Sequence, residues 1–398
     1  MISFDDALAR VFDIAKPLGV ETVPFADVAG RVLAEAVTAR FAMPRTDVSA
    51  MDGYAVREAD LRDLPFSLSV AGEAAAGSPP GQVLPDRSAS RIFTGAPVPE
   101  GADRVIVQEN TERTGDHVTF LRPHGAGRNI RPAGSDFVAG EVLVPAGVRL
   151  GWRALMTAAA ADRGELVVYR QPRVVILATG DELARPGHAH ENPGAIPESV
   201  SPGIAAFASA HGGRVLRAER LPDTPDEMAV AAVRALADAD LVIMIGGASV
   251  GERDYSRSVF GATPDYVFPK VAIKPGKPVW LAKTGGRLVM GLPGNPTSAL
   301  VTARLFLAPL LVGLGGGDAA LAVVFETGLC ADALPVCGDL ETFLRARRTA
   351  SGLILADSQD SGSQRSLAAS DTLTRRLPGA PLSLQALPCR FSIFEVVI

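Results

Sequence analysis

Three apolar runs that each break into a glycine-bearing turn set the frame for this chain. Residues 173–178 (RVVILA) precede Thr179–Gly180–Asp181, residues 241–245 (LVIMI) precede Gly246–Gly247, and residues 288–290 precede the turn 291–296. Short runs that are apolar throughout, bounded by turn residues, read as strands buried on both faces. Between them lie a further strand at 214–219 and helical patterns at 201–211 and 224–237, the second with Met228, Val230, Val233 and Leu236 as its apolar positions. Strands alternating with helices predict a doubly wound parallel α/β sheet over 172–314, closed by an apolar helix at 297–314. Ligands of such sheets sit outside the carboxyl ends of the strands. The three turns at 179–183, 246–251 and 291–296 therefore fall on one rim.

The flanks have a different texture. Ser3 with Asp6 has the spacing of a helix-start capping box, and Ile2, Leu8, Val11, Phe12 and Ala15 follow at helical intervals until Pro17 and Gly19. A second short helix is expected over 25–33. From 41 to 145, short apolar runs such as 66–70, 104–108 and 117–121 alternate with Gly/Pro turns, which predicts a β domain inserted into a helical N-terminal region of residues 1–171. A helix at 152–161 would return the chain to its first element. After a Gly315–Gly317 linker, residues 318–398 carry short strands at 321–326, 341–347, 353–355 and 390–397 and no evident helix, which suggests a small β barrel or sandwich.

With 398 residues, 47% of them apolar, the chain can bury a core in each of two to four domains. Its net charge of −5 argues against general binding to nucleic acid or to an anionic membrane surface. No stretch approaches 18 uninterrupted apolar residues, and the N-terminus lacks the basic flank and apolar run of a signal peptide. Three widely spaced cysteines, Cys330, Cys337 and Cys389, fit a reducing cytoplasm and show no metal-ligand spacing. Charge placement says more than the total. Of the five lysines, Lys270, Lys274, Lys277 and Lys283 fall within 14 residues. Two glycine-rich turns flank that window, so it reads as a local anion site on an acidic protein, with a solvated basic loop as the plain alternative.

Each motif has two readings. In GGASVGERDY (246–255) the glycines let backbone N–H groups approach an anion, although a tight turn needs the same residues. Asp254 could cap a helix or contact a ligand or metal. In KVAIKPGKP (270–278) an extended backbone puts Lys270 and Lys274 on one face, stiffened by Pro275 and Pro278, and a lysine row also guards a sheet edge. GLPGNPTSA (291–299) opens a helix capped by Asn295 or Thr297, whose N–H groups would suit a phosphate or merely join strand to helix. The carboxylates of ATGDEL (178–183) would also serve a helix start.

Taken together and in order, SAMDGYA, TGAPVPEGAD, GRNIR with the following G.D, TGDEL, SVGE.DY, AIKPGKP and GLPGNP resemble the molybdopterin molybdenumtransferase (MoeA) family, which is similar to the E domain of gephyrin. The resemblance spans nearly the whole chain. It implies a helical dimerisation region with an inserted β domain, a molybdopterin-binding α/β domain and a C-terminal β barrel, assembled as a homodimer with its active site between subunits. It implies that adenylated molybdopterin receives molybdenum from molybdate and that AMP is released, in a cytoplasmic enzyme working beside other molybdenum cofactor synthesis proteins. Lys270, Lys274, Lys277, Arg345 and Ser366 are then candidates for binding molybdate or phosphate. Gly246, Gly247, Ser249, Gly291, Pro293, Gly294 and Pro296 would line the pterin site. Asp52, Asp136, Glu182, Asp223, Asp254 and the hydroxyl of Thr94 match acidic or polar positions important in the family, with Glu182 and Asp254 first in line to hold Mg²⁺ against the phosphoanhydride. The sequence departs from the family in having Glu198–Ser199–Val200 where Asp-Ser/Thr-Asn is usual, and Ala369–Ser370–Asp371 where Ala-Asn is common. Two other readings are a scaffold of the gephyrin kind, which binds without turnover, and the adenylyltransferase of the same route, which shares the α/β domain.

Overall fold

The computed structural model describes residues 1–247, 255–261, 264–383 and 387–394. Ser249 and Asp254, two of the candidate site residues, lie outside them. The chain divides into two compact units: Met1–Glu35, Ala146–Gly151 and Glu165–Ile398 form the first, Ala36–Pro145 and Trp152–Gly164 the second.

A six-stranded sheet organises the first unit. Its strands are β1 (Arg173–Thr179), β2 (Arg214–Leu221), β3 (Leu241–Ile245), β4 (Asp265–Phe268), β5 (Trp280–Thr284) and β6 (Arg287–Leu292), in the spatial order β2-β1-β3-β6-β5-β4. The expected parallel core is present: β2, β1, β3 and β6 run parallel. To it a hairpin adds β5, antiparallel to β6, and then β4. Gly285 and Gly286 make the hairpin turn with φ of 56° and 75°, and two positive φ values in succession are what a tight right-twisted hairpin needs. Alternate residues of the strands serve opposite faces. Val174, Ile176, Ala178, Ile243 and Ile245 pack with Ile204, Ala208 and the Pro296–Leu314 helix, whereas Val175, Leu177, Val242 and Met244 pack with Met228, Ala231 and Ala235 of the Pro225–Asp238 helix. Burial on both faces explains why β3 is apolar at every position. Each fully buried Val, Leu or Ile here contributes roughly 1.5–3 kcal/mol.

The Pro296–Leu314 helix is long and apolar enough to cross a membrane, yet 94% of it is buried inside this unit as its core helix. Near its middle Arg304 is fully buried. Its Nε donates to Ile393 O at 2.6 Å, its Nη2 to Ser392 Oγ at 3.1 Å and its Nη1 to Ala322 O. The C-terminal region is a closed five-stranded barrel in which Glu341–Thr349, Gly352–Leu355, Glu326–Cys330, Leu387–Ile393 and Thr372–Arg376 pair in succession and the last pairs again with the first. Closure leaves these five strands without a free edge.

Several local expectations are corrected. Residues 25–33 are not a helix. Phe25–Asp27 forms a single 3-10 turn, Gly30 takes φ 74°, and Val32 and Leu33 pair as β-bridges with Arg149 and Val168. Residues 321–326 are not a strand, because Asp318 caps a 3-10 turn over Ala319–Ala322 and pairing begins only at Glu326. The barrel region carries a short helix at Gln364–Ala368. Gly315–Gly317 is no slack linker, since a Cβ on Gly316 would lie 2.0 Å from the Tyr169 ring. The helix Trp152–Ala160 forms as expected but clusters with the second unit, not with the N-terminal helix Phe4–Ile14.

In the second unit a six-stranded sheet runs Arg104–Val107, Gly53–Val56, Ser88–Ile92, Phe66–Ala74, His117–Phe120, Thr111–Thr114 over a core of Tyr54, Val56, Leu68, Ile106, Val118 and Phe120. This is the inserted β domain that the sequence predicts.

Candidate functional site

At the carboxyl ends of β1, β3 and β6 the three glycine-bearing turns converge. Gly246 (φ 88°) lies so close to β1 that a Cβ there would meet Thr179 O at 2.7 Å, and a Cβ on Gly294 would come within 3.5 Å of the Gly246 Cα. The Gly246 N–H donates to Leu292 O at 3.3 Å. Only glycine permits such an approach at 246. Gly247 (φ 58°) is held from the other side by the Ser256 hydroxyl, which donates to its carbonyl at 2.7 Å.

On the first turn the exposed Glu182 folds its carboxylate back over Gly180. Asp181 accepts the Asp223 N–H at 3.1 Å, so the 181–183 and 221–224 turns are joined and the Asp223 backbone lies at this end of the sheet. The departure at 198–200 has a structural result. Glu198 is buried and accepts the N–H groups of Val200 at 3.0 Å and Ser201 at 2.8 Å, which caps the Val200–Ala210 helix. One sequence-invisible feature is the Thr179 hydroxyl, buried on the face shared by Val175 and Leu177 and, among the described residues, without a hydrogen-bond partner.

The third turn has both packing and polar duties. A Cβ at Gly291 would sit 2.0 Å from Trp280 Nε1, so that glycine is required by the indole. Pro293 is buried, Gly294 exposed and Pro296 half-buried as the first helical residue. Neither Asn295 nor Thr297 caps the helix with its own side chain. Instead Asn295 Nδ2 donates to Ser361 Oγ at 3.0 Å and the Thr297 N–H to Ser361 O at 3.2 Å. A loop of the barrel thus covers this helix start. Arg345 shapes that loop: it is 1% exposed, and its Nη1 and Nη2 donate to Asp360 O at 3.0 Å and Ser358 O at 2.7 Å. Ser366 is buried and accepts from Ser363 Oγ at 3.0 Å.

The lysine segment lies beside the same helix. A Cβ on Gly276 would meet Thr302 at 2.2 Å, and Ser298 O is 3.7 Å from the same point, one turn into the helix. Only Ile273–Lys274 is strand, and it pairs in parallel with Glu341 and Thr342, at the start of the strand that carries Arg345. Lys270 precedes the strand and is half-buried, so the single extended face expected for Lys270 and Lys274 is not formed; Lys274 and Lys277 are exposed. Among the described residues none of the three makes an ion pair. Cations close together in sequence repel one another, and an anion between them relieves that repulsion.

The second unit holds its own polar pair. Asp52 accepts from the Thr94 N–H at 2.7 Å and the Thr94 hydroxyl at 2.8 Å. These two bonds, with nearby Arg91 adding to them, hold the Asp52 carboxyl below the usual aspartate range. The loops meet because the Gly95 N–H donates to Ser49 O and the Ser49 N–H to Ala96 O. Asp136 is exposed on another loop, where its N–H donates to Met43 O, and it does not join the Asp52–Thr94 pair.

Residues 2–161 match the family described as MoeA N-terminal region (domain I and II), and residues 175–312 match the probable molybdopterin binding domain. A molybdopterin molybdenumtransferase of Haemophilus influenzae is 37% identical over 318 residues, which cover 79% of this chain and 78% of that protein. One from a Nostoc strain is 35% identical over 323 residues, covering 79% and 74%. Among solved structures, the molybdopterin biosynthesis moeA protein from Pyrococcus horikosii superposes with a TM-score of 0.81 at 27% identity, over 100% of both chains.

Proposed function

We propose that this chain, which belongs to the molybdopterin molybdenumtransferase family, inserts molybdenum from molybdate into adenylated molybdopterin with release of AMP. The observation that carries this reading is the convergence of three glycine-bearing turns at the strand ends, with a lysine segment that has no ion-pair partner among the described residues packed on the helix that the third turn opens. Molybdate is a tetrahedral dianion. Lys270, Lys274 and Lys277 supply fixed positive charge for it, while the bare backbone around Gly246, Gly247 and Gly294 admits a phosphorylated pterin against the sheet. Arg345 and Ser366 act through the barrel loop that they shape, which covers the start of the Pro296–Leu314 helix.

Among the described residues no three His, Cys, Asp or Glu side chains converge. Mg²⁺ carried largely by substrate phosphates and water needs only one or two protein carboxylates. Glu182 would hold it at the first turn, where its charge would offset that of the phosphoanhydride. Asp181 and Asp223 lie on the same joined turns. We further read the enzyme as a homodimer in which the Asp52–Thr94 loop of one copy serves the substrate of the other. Trp152 and Met156, each 73% exposed and four residues apart on one helix, give the apolar surface that self-association would cover. Three free, buried cysteines suit a cytoplasmic setting.

The test is AMP release from adenylated molybdopterin, with and without molybdate and Mg²⁺. Release should require molybdate, and Glu182→Ala should slow it by an order of magnitude or more, a loss of over about 1.4 kcal/mol. Binding without AMP release would point to a carrier. Adenylation of molybdopterin by ATP would point to the adenylyltransferase.

A further inference from the structure

The lysine segment is a loop whose two ends meet at one guanidinium. Arg257 Nη2 donates to Pro269 O at 3.0 Å and, more loosely, to Pro278 O at 3.4 Å, the residues immediately before Lys270 and after Lys277. The Arg257 guanidinium lies 5.8 Å from the Tyr266 ring centroid and 5.7 Å from that of Trp280, and the two rings meet edge to face. Among the described residues Arg257 has no ion-pair partner, and its Nε is buried without an acceptor. The preceding residue reaches the other way, through the bond from the Ser256 hydroxyl to Gly247 O. Two consecutive side chains thus tie the glycine turn at the end of β3 to both ends of the lysine loop.

Other contacts hold the loop as well. Ile2 pairs with its start, through Ile2 N–H to Lys270 O at 3.3 Å and Ala272 N–H to Ile2 O at 2.9 Å, and the Glu341 N–H donates to Ala272 O at 3.0 Å. All of these act on the first half. The return half is secured by the Val271 N–H to Lys277 O bond at 3.3 Å, by the packing of Gly276 on Thr302, and by Arg257. Of these only Arg257 bridges to residues that also fix the glycine turn.

We infer that Arg257 is the positioning residue that sets the lysine loop against the glycine turn and so tunes affinity for the small oxyanion substrate. It touches backbone and rings, not substrate. Arginine suits the place because a planar guanidinium can lie against two aromatic faces while one nitrogen reaches two carbonyls, and an ammonium cannot do both. The inference rests on the functional reading above, in which the lysines take molybdate.

The experiment uses the full chain and molybdate. In equilibrium dialysis, Arg257→Ala should weaken molybdate binding about tenfold or more, Arg257→Lys should recover only part of that, and millimolar guanidinium added to Arg257→Ala should recover more. In AMP release, KM for molybdate should rise by about tenfold while KM for adenylated molybdopterin and kcat stay within about threefold. Circular dichroism of the Lys variant confirms that its fold is intact. Unchanged molybdate affinity in Arg257→Ala, or a parallel rise of both KM values, overturns the role, as does a wild type that binds no molybdate. If the wild type binds molybdate but releases no AMP, the transferase reading falls, and dialysis of the variants alone decides the role of Arg257.

Discussion

Asp52 and Thr94 are 42 residues apart in sequence and share a carboxylate–hydroxyl bond of 2.8 Å. The family motifs place both among the candidates, but nothing in either string says that they touch. What joins them is the pairing of Ser49 with Ala96 across two loops, a non-local event. The pair also fixes the ionisation of Asp52, since both Thr94 donors favour the charged carboxylate. Replacing Thr94 by Val removes the hydroxyl and leaves the backbone donor. The Asp52 carboxyl should then titrate at a higher pH than in the wild type, as read by carbon NMR of labelled aspartate. An unchanged titration would mean that the hydroxyl bond contributes nothing to it.

At the level of elements, what was legible was local. The apolar runs of β1 and β3, the glycines that end them and the Ser3 cap, whose oxygen accepts the Asp6 N–H at 3.0 Å, all declare themselves within a few residues. What escaped depends on partners far away in sequence. Ser361 covers the helix start that Asn295 or Thr297 was expected to cap, and barrel closure rests on the pairing of Thr372–Arg376 with both Glu341–Thr349 and Leu387–Ile393. The hairpin of β5 and β6 lies between these cases, for its Gly–Gly turn is a local signal while its place beside the parallel strands is set by distant partners. The 198–200 departure shows how a family mismatch can be absorbed. Glu198 supplies acceptors to two N–H groups at the start of the Val200–Ala210 helix, where a negative charge also suits the helix dipole. Glu198→Ala should cost about 1 kcal/mol in urea unfolding, and Glu198→Gln, which keeps one acceptor, should cost less. Equal midpoints for wild type and Ala variant would show that the cap adds no stability.

Across the whole molecule, stability should depend on pH through His211. Its Nδ1 donates to Phe207 O at 2.8 Å, its ring stacks on Phe207 at 4.1 Å, and burial, with the charges of Arg304 and Arg149 added, lowers its pKa below the ordinary 6.5. The folded state therefore holds this imidazole neutral where the unfolded chain has begun to protonate it. Stability should be full above pH 6.5, fall as the pH drops through that value, and level off once the lower native pKa is passed. His211→Phe should remove this part of the pH dependence of the thermal midpoint; a slope identical to that of the wild type would assign the effect elsewhere.

Arg304 has a consequence for how the first unit comes apart. Its pKa is pulled down to about 10 by burial, and its three acceptors come from Ala322, Ser392 and Ile393, all beyond the core helix. Peeling the barrel strand away would strand a cation in an apolar interior, at a cost of several kcal/mol. Calorimetry of the full chain should accordingly show the sheet and the barrel sharing a single endotherm, and a chain cut after Gly317 should be an aggregation-prone fragment instead of an autonomous module.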